Sequence, residues 1–295
     1  TGVRFEITRT FYDRTLDPSI HAKFNSGQQQ YTRLRIATLA YYNDLPGADM
    51  DYDVAVHYNY DPHGNVVEYV QDVPELPEVV NNQNTEYEFD LISGNMNKVI
   101  YERGESDQFM HEYYYDANNR LKEVYTSFKD IIEQREANYE YYEHGPTARV
   151  EIGDYNVQGR DYVYTINGWL KGVNSNTLDE TRDPGKDGGD GYLTNNPKVN
   201  SLNARDAMGF TLQYFDEDYV AIGGSNFARA TSGTAFGNGT REIFNGNISH
   251  MVTAIQNLDV MGYAYQYDQL HRLVEMNAYE NPDLANNSWS TGSVT

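Results

Sequence analysis

Apolar and polar residues alternate along most of this chain with a period of two, and the same kind of short turn repeatedly interrupts the alternation. Val54, Val56, Tyr58 and Tyr60 fall on one side of a segment whose other side carries Asp53, His57 and Asn59, the pattern of a half-buried β-strand. Asp61-Pro62-His63-Gly64-Asn65 predicts a turn, and Val66-Val67-Glu68-Tyr69-Val70 predicts the returning strand. The unit recurs at Tyr87-Glu88-Phe89-Asp90, with a turn through Ser93-Gly94-Asn95 and a return at Val99-Ile100-Tyr101. Further copies are Tyr113-Tyr114-Tyr115-Asp116-Ala117-Asn118-Asn119-Arg120-Leu121 and Tyr263 to Leu273, the latter containing Tyr267, Asp268, Arg272 and Leu273. Two variant copies put Glu143 or Thr165 in the aspartate's place: Tyr139 to Pro146, with Gly145, and Tyr162 to Leu170, with Tyr164, Gly168 and Leu170.

The chemistry of the turn explains the recurrence. An aspartate there accepts hydrogen bonds from backbone N–H groups about two residues on, and Asn or Gly supplies the positive φ a tight hairpin needs. Arg120, Arg272 and Lys98 are placed to pair with carboxylates on neighbouring hairpins. Exposed pairs contribute about 0–1 kcal/mol, so stacked tyrosines are expected to be the larger stabilising term. One hairpin is marginal alone, so the units must share a sheet. The expectation is an all-β chain of stacked antiparallel β-hairpins.

The regular repeats occupy residues 51–174, and the segments 1–50 and 175–200 on either side break the rhythm. Residues 1–50 predict weaker strands at Val3–Ile7 and Leu34–Ala40 around a Gly/Gln-rich link at 27–30. Loop insertions are expected at 175–200 and 223–242, a strand at Phe210–Phe215, the last repeat at 263–280, and one short helix near 203–208 or 244–256.

Composition narrows the partners. Lys+Arg total 22 against 44 Asp+Glu, a net charge of −22 across 295 residues, which repels nucleic-acid phosphates and anionic lipid. There is no cysteine, so disulfides and thiolate metal sites are ruled out. No apolar run approaches the roughly 20 residues of a membrane helix. The opening, Thr1-Gly2-Val3-Arg4-Phe5-Glu6, starts in mid-pattern without a signal peptide, so the chain reads as a piece of a longer polypeptide.

Candidate chemistry is sparse. Asp183, Asp187 and Asp190 among Gly185, Gly188, Gly189 and Gly191 invite a calcium loop. An EF-hand reading fails at Gly185 and Thr194, and a calcium nonapeptide fails at Leu193, leaving a solvated flexible loop as the expectation. His111-Glu112 lacks the second histidine of a zinc-protease helix, which Tyr115 replaces, and the seven histidines show no paired spacing. Gly223-Gly224-Ser225-Asn226-Phe227 lacks the last glycine of a nucleophile elbow. Carboxylate runs such as Asp216-Glu217-Asp218 carry little weight in so acidic a chain. No catalytic residue, metal ligand or cofactor is therefore assigned, and the chain is not expected to be an enzyme.

The Tyr-Asp-x-x-x-Arg-Leu units at 115–121 and 267–273 resemble YD repeats of the Rhs family. The phrases at 57–66, 164–174 and 204–212 resemble the large Rhs-repeat proteins secreted by certain Gram-negative bacteria. The resemblance spans roughly residues 3 to 280. It implies a sheet that spirals into a hollow shell (a cocoon), of which 1–295 is a fragment. Such a shell encloses a variable C-terminal region, often a toxin used in interbacterial competition, and reaches the cell surface or medium by a type IX route. The partners so implied are the rest of the chain's own longer polypeptide, with its C-terminal payload, and outer-membrane secretion proteins. The chain stops before the family's core-closing Asp-Pro-x-Gly-Arg segment with its self-cleaving aspartates, so no catalytic residue carries over. The competing expectations are a cell-surface adhesion or glycan-binding repeat, suggested by the aromatic rows, and export cargo held by a translocon.

Overall fold

The structure is a computed structural model that describes residues 6–44, 47–77, 81–129, 131–179, 182–188, 200–215, 217–221, 227 and 243–280, and the backbone of three two-residue strands beyond. Two compact units divide it, residues 1–136 and 137–295.

In the first unit, eight strands follow one another as an antiparallel meander: β1 (Ile7–Tyr12), β2 (Ile36–Tyr42), β3 (Val54–Tyr60), β4 (Val66–Asp72), β5 (Asn82–Phe89), β6 (Met96–Tyr101), β7 (Phe109–Tyr115) and β8 (Leu121–Phe128). β9 (Ile132–Tyr141) begins in this unit and ends in the next. In the second unit β9 pairs β10 (Thr147–Ile152), and the meander continues through β11 (Gln158–Tyr164), β12 (Leu170–Val173), β13 (Met208–Gln213), β14 (His250–Ile255), β15 (Met261–Tyr267) and β16 (Leu273–Glu280). Three short strands follow, β17 (Pro282–Asp283), β18 (Ser288–Trp289) and β19 (Ser293–Val294), the last of which pairs β16. The all-β, stacked-hairpin expectation holds. The insertions hang between β12 and β13 and between β13 and β14, while pairing continues across them, as at Gly172 with Thr211.

The expected helix does not form: 208–213 and 250–255 are strands, and the helical segment among the described residues is a 3-10 turn, Pro18–Lys23. Asp17 caps that turn by accepting from the Ser19 N–H, and Pro18 enters where its missing N–H costs nothing. The early strands also lie later than expected, at β1 and β2; Val3, Arg4 and Phe5 fall outside the described residues.

Alternation in β3 is present, but the covered face is the polar one. Ala55, His57 and Asn59 are buried, while Val54, Val56, Tyr58 and Tyr60 are half-buried. The cause is the segment Asp13–Arg35, whose Ile20 and Phe24 pack on Val70 with Leu16 and Met50 beside them. A second cluster joins Ala40, Tyr42, Tyr52 and Ala55 to Ile7 and Phe11. The Gly/Gln-rich link is part of this cover: Gln29 is buried and its amide donates to the carbonyls of Ala37 and Tyr58.

Candidate functional site

The predicted repeat residues sit at one structural position, distributed one set per hairpin. In six hairpins the return strand carries one extra residue opposite the approach to the turn, a β-bulge that bends and twists the pair locally. Across the bulge the repeat aromatic faces the first return residue: Tyr60 with Val66, Phe89 with Met96, Tyr115 with Leu121, Tyr164 with Leu170 and Tyr267 with Leu273. The sixth pairs Tyr141 with Thr147. Tyr142, not Glu143, therefore holds the aspartate's place: its N–H donates to the Pro146 carbonyl as the Asp116 N–H donates to the Arg120 carbonyl. The sequence reading was one residue out of register there.

The turn chemistry follows the expectation. Asp116 Oδ1 accepts from the N–H groups of Asn118 (2.8 Å) and Arg120 (2.9 Å), and Asp268 Oδ1 accepts from Leu270 (2.8 Å) and Arg272 (3.0 Å). Asp90 accepts from Ile92 and Ser93, and Asp61 from Gly64 and Asn65. These bonds to the ionised form hold the Asp90, Asp116 and Asp268 carboxyls below their ordinary range. For Asp61 burial pushes upward, but the bonds from Asn65, Gly64 and His63 outweigh it. Positive φ falls on Gly64 (104°), Gly94 (74°), Gly145 (117°) and Gly168 (78°), and on Asn119 (60°) and His271 (61°) in the two strictest copies. One expectation is corrected. Arg120 and Arg272 form ion pairs with the aspartate of their own turn, at 2.7 and 2.6 Å. Lys98 does reach a neighbouring hairpin, meeting Glu112 at 2.7 Å.

A feature the sequence did not reveal is the work of the repeat tyrosine's hydroxyl. Tyr60, Tyr115 and Tyr267 donate to the carbonyls of Ile36, Met96 and Ile248, at 2.9, 2.8 and 3.0 Å; Ile36 and Met96 open the strand preceding the hairpin, and Ile248 lies just ahead of that strand. The tyrosine thus fastens one hairpin to the previous one, which phenylalanine cannot do. Beside it runs an aromatic row on the half-buried face: Tyr58 to Tyr69 at 6.5 Å and Tyr69 to Tyr87 at 6.1 Å between ring centroids.

Beneath the cover of the first unit lies a buried polar network. Asp72 Oδ2 accepts from the Tyr52 hydroxyl and meets Lys23 Nζ at 2.8 Å and His57 Nε2 at 3.5 Å, while His57 Nδ1 meets Thr38 Oγ1 at 2.9 Å. Burial pushes the Asp72 carboxyl up, but the bonds from His57, Lys23 and Tyr52 win and hold it below the ordinary value. Burial and the Asp72 bond raise the Tyr52 hydroxyl strongly. Glu68, alongside, accepts from Asn25, Ser26, Asn59 and Asn84. Asp72 pairs with Lys23 and His57, and Asp72, His57 and Glu68 are buried, so the network reads as structural.

The second unit holds a denser cluster, and here the solvated-loop expectation fails: Asp183 and Asp187 are 4% and 3% exposed. Arg149, on β10, donates to Asp161 of β11, to Asp187 at 2.8 Å and to Glu151 at 3.3 Å. Asp183 accepts from the Asp187 N–H at 2.9 Å. Glycines make the room: a Cβ on Gly185 would strike Asp161 and Arg149, and one on Gly159 would strike Asp187 and Arg149. Burial first, then Asp183 and Asp187, raise Asp161 to about 7 despite Arg149. Asp206 is pushed up to about 8 by burial and by Asp183, Asp187 and Asp161. Glu151 stays below its ordinary range because bonds from Asn203, Asn138 and Arg149 outweigh its burial. Asp190 lies outside the described residues, as do Gly189, Gly191 and most of 223–242.

No protein-family model matches the chain, and no curated protein matches it in sequence. Among solved structures it is similar to TcdB2-TccC3, at 15% identity over 84% of this chain and a TM-score of 0.47. It is similar also to the Photorhabdus luminescens Tc holotoxin pore, at 11% identity over 84% of this chain and 15% of that one, with a TM-score of 0.29. A porin-like protein from Bacteroides uniformis matches at 8% identity over 83% of this chain and 85% of that one, with a TM-score of 0.21. The chain spans about 12% of the length of the TcdB2-TccC3 chains. At such scores the functional reading rests on this chain's own residues.

Proposed function

We propose that this chain is a non-catalytic wall segment of a larger exported Rhs/YD-repeat protein, which encloses a variable C-terminal toxin and delivers it in competition between bacteria. The observation that carries the reading is the shared construction of six hairpins, each with its bulge in the same place, four of them turning on an aspartate and two on Tyr142 or Thr165. A bend repeated at every hairpin is what a curved container wall requires, and an array needs no reacting group. The partner is then the rest of the chain's own polypeptide, on the cell surface or outside the cell, with a type IX translocon as the route.

The test is limited proteolysis of the full-length parent protein against its free C-terminal region. Protection of that region, lost when the wall is cleaved, is the expected result. Digestion at the same rate inside and outside sinks the container reading. The exposed edges of the tyrosine row Tyr58, Tyr69 and Tyr87 favour one second reading, a surface that stacks on glycans. Saturable binding on a glycan array, abolished by Tyr69→Ala, would select it.

A further inference from the structure

We propose that the carboxylates of Asp161, Asp183 and Asp187, with Asp206 beside them, form a binding site for one hard divalent cation of the calcium class.

Three buried aspartates, Asp161 from β11 and Asp183 and Asp187 from the insertion, each offer an oxygen, and these oxygens lie within 4.8 Å of one another. A cation among them sits close to the 2.3–2.6 Å that calcium takes from carboxylate oxygen, after a small inward movement. The donor set is all oxygen, which selects calcium-like ions over zinc or copper.

Asp206 supplies the independent observation. It is 92% buried by its 8% exposure, it comes from the chain just before β13, its carboxyl meets that of Asp183, and its Oδ1 has no hydrogen-bond donor among the described residues. The same holds for Asp183 Oδ1 and Asp187 Oδ2, so three carboxylates of the one acidic cluster each keep a buried oxygen without a donor. Unsatisfied buried acceptors are costly, and like charges at this distance cannot all remain ionised without a counter-charge. Arg149 is bonded to Asp161, Asp187 and Glu151, one positive charge among three carboxylates. Lys186 is exposed. Gly159 and Gly185 keep the floor of the cluster clear of Cβ atoms. Protons or a cation must complete the cluster, and buried oxygens without a donor beside the Asp161, Asp183 and Asp187 group suit a cation. The EF-hand and nonapeptide patterns miss the site because its ligands come from β11, from the following insertion and from before β13.

The test is calorimetric titration of calcium chloride into the EDTA-treated chain near neutral pH, with thermal unfolding followed in parallel. One equivalent should bind, and at a hundredfold excess over Kd the melting temperature should rise by roughly 5–10 °C. Asp187→Asn should weaken binding at least about tenfold, while Asp49→Asn, in an exposed pair with Arg9, should not change it. Asp187 also holds Arg149, so Asp206→Asn serves as a second variant, and terbium emission sensitised by tyrosine and displaced by calcium reads the site in the unaltered chain. A folded chain that takes up neither calcium, magnesium nor manganese at millimolar concentration overturns the proposal. So does binding that survives both variants, or a melting temperature that responds to protons and ignores the ion.

Discussion

Replacing Asp72 by alanine tests whether the polar face of β3 and β4 is truly the inner one. The side chain is 1% exposed, and its Oδ2 is the shared acceptor for the Tyr52 hydroxyl, Lys23 Nζ and His57 Nε2. Removing it leaves the buried Tyr52 hydroxyl without its acceptor, a cost of about 1–3 kcal/mol. Lys23 loses an ion pair, but its side chain is 20% exposed and keeps a 3.0 Å bond to Asn82, so water and that amide recover much of its share. Stripping one partner from a fully buried pair costs about 3–5 kcal/mol, and the rehydration of Lys23 brings the expectation for Asp72→Ala to about 2–4 kcal/mol. Oδ1 has no hydrogen-bond partner among the described residues, so its removal relieves a small penalty and argues for the lower half of that range. Urea unfolding followed by far-UV circular dichroism gives the magnitude, and hydrogen exchange over residues 36–72 locates it. A cycle with Tyr52→Phe should show coupling of at least about 1 kcal/mol. A loss under about 0.5 kcal/mol, or additive single variants, would refute the assignment of this face as interior.

The pH dependence of the same network has a definite sign. Folding lowers the Asp72 carboxyl below its ordinary value of 3.8, so its contribution is complete above that value and is lost as pH falls through the depressed folded one; Asp72→Ala should flatten the acid limb of a stability–pH curve. Tyr87→Ala should cost about 2 kcal/mol in urea unfolding, because the ring lies 6.1 Å from Tyr69 and 6.5 Å from Phe89, whereas Tyr87→Phe should stay within about 0.5 kcal/mol. Gly64→Ala should cost about 1–2 kcal/mol by the same measurement, since φ there is 104° and a new Cβ would press on the Arg35 guanidinium.

What could be read from the sequence was whatever is decided within a single hairpin. An aspartate followed at fixed distance by Asn, Gly or Arg determines the turn through bonds spanning two to four residues, and those at 61, 90, 116 and 268 formed as expected. The slip at Tyr142 has the same origin. Three tyrosines in four residues (139, 141 and 142) offer two registers to a period-two reading, and the bulge residue, invisible in composition, selects between them.

Which face a strand buries is a different kind of question, and the alternation in β3 could not answer it. A period of two sorts Val54, Val56, Tyr58 and Tyr60 from His57 and Asn59, but either set can be covered if something suitable lies over it. Here the covering segment is stitched down by polar atoms: Gln30 N–H to Asn59, Asn25 N–H to Glu68 and Gln29 to the carbonyls of Ala37 and Tyr58. A cover built from Gln, Asn and Ser reads as a loop, because its partners stand 8 to 43 residues away. The acidic cluster hid for the same reason, since Arg149 and Asp187 are 38 residues apart. In a chain this acidic, burial and not composition separates the few aspartates that carry consequence from the many that only face water. The half-buried tyrosine row then follows as a corollary: with polar side chains sealed inside, the aromatic face is the one left partly open.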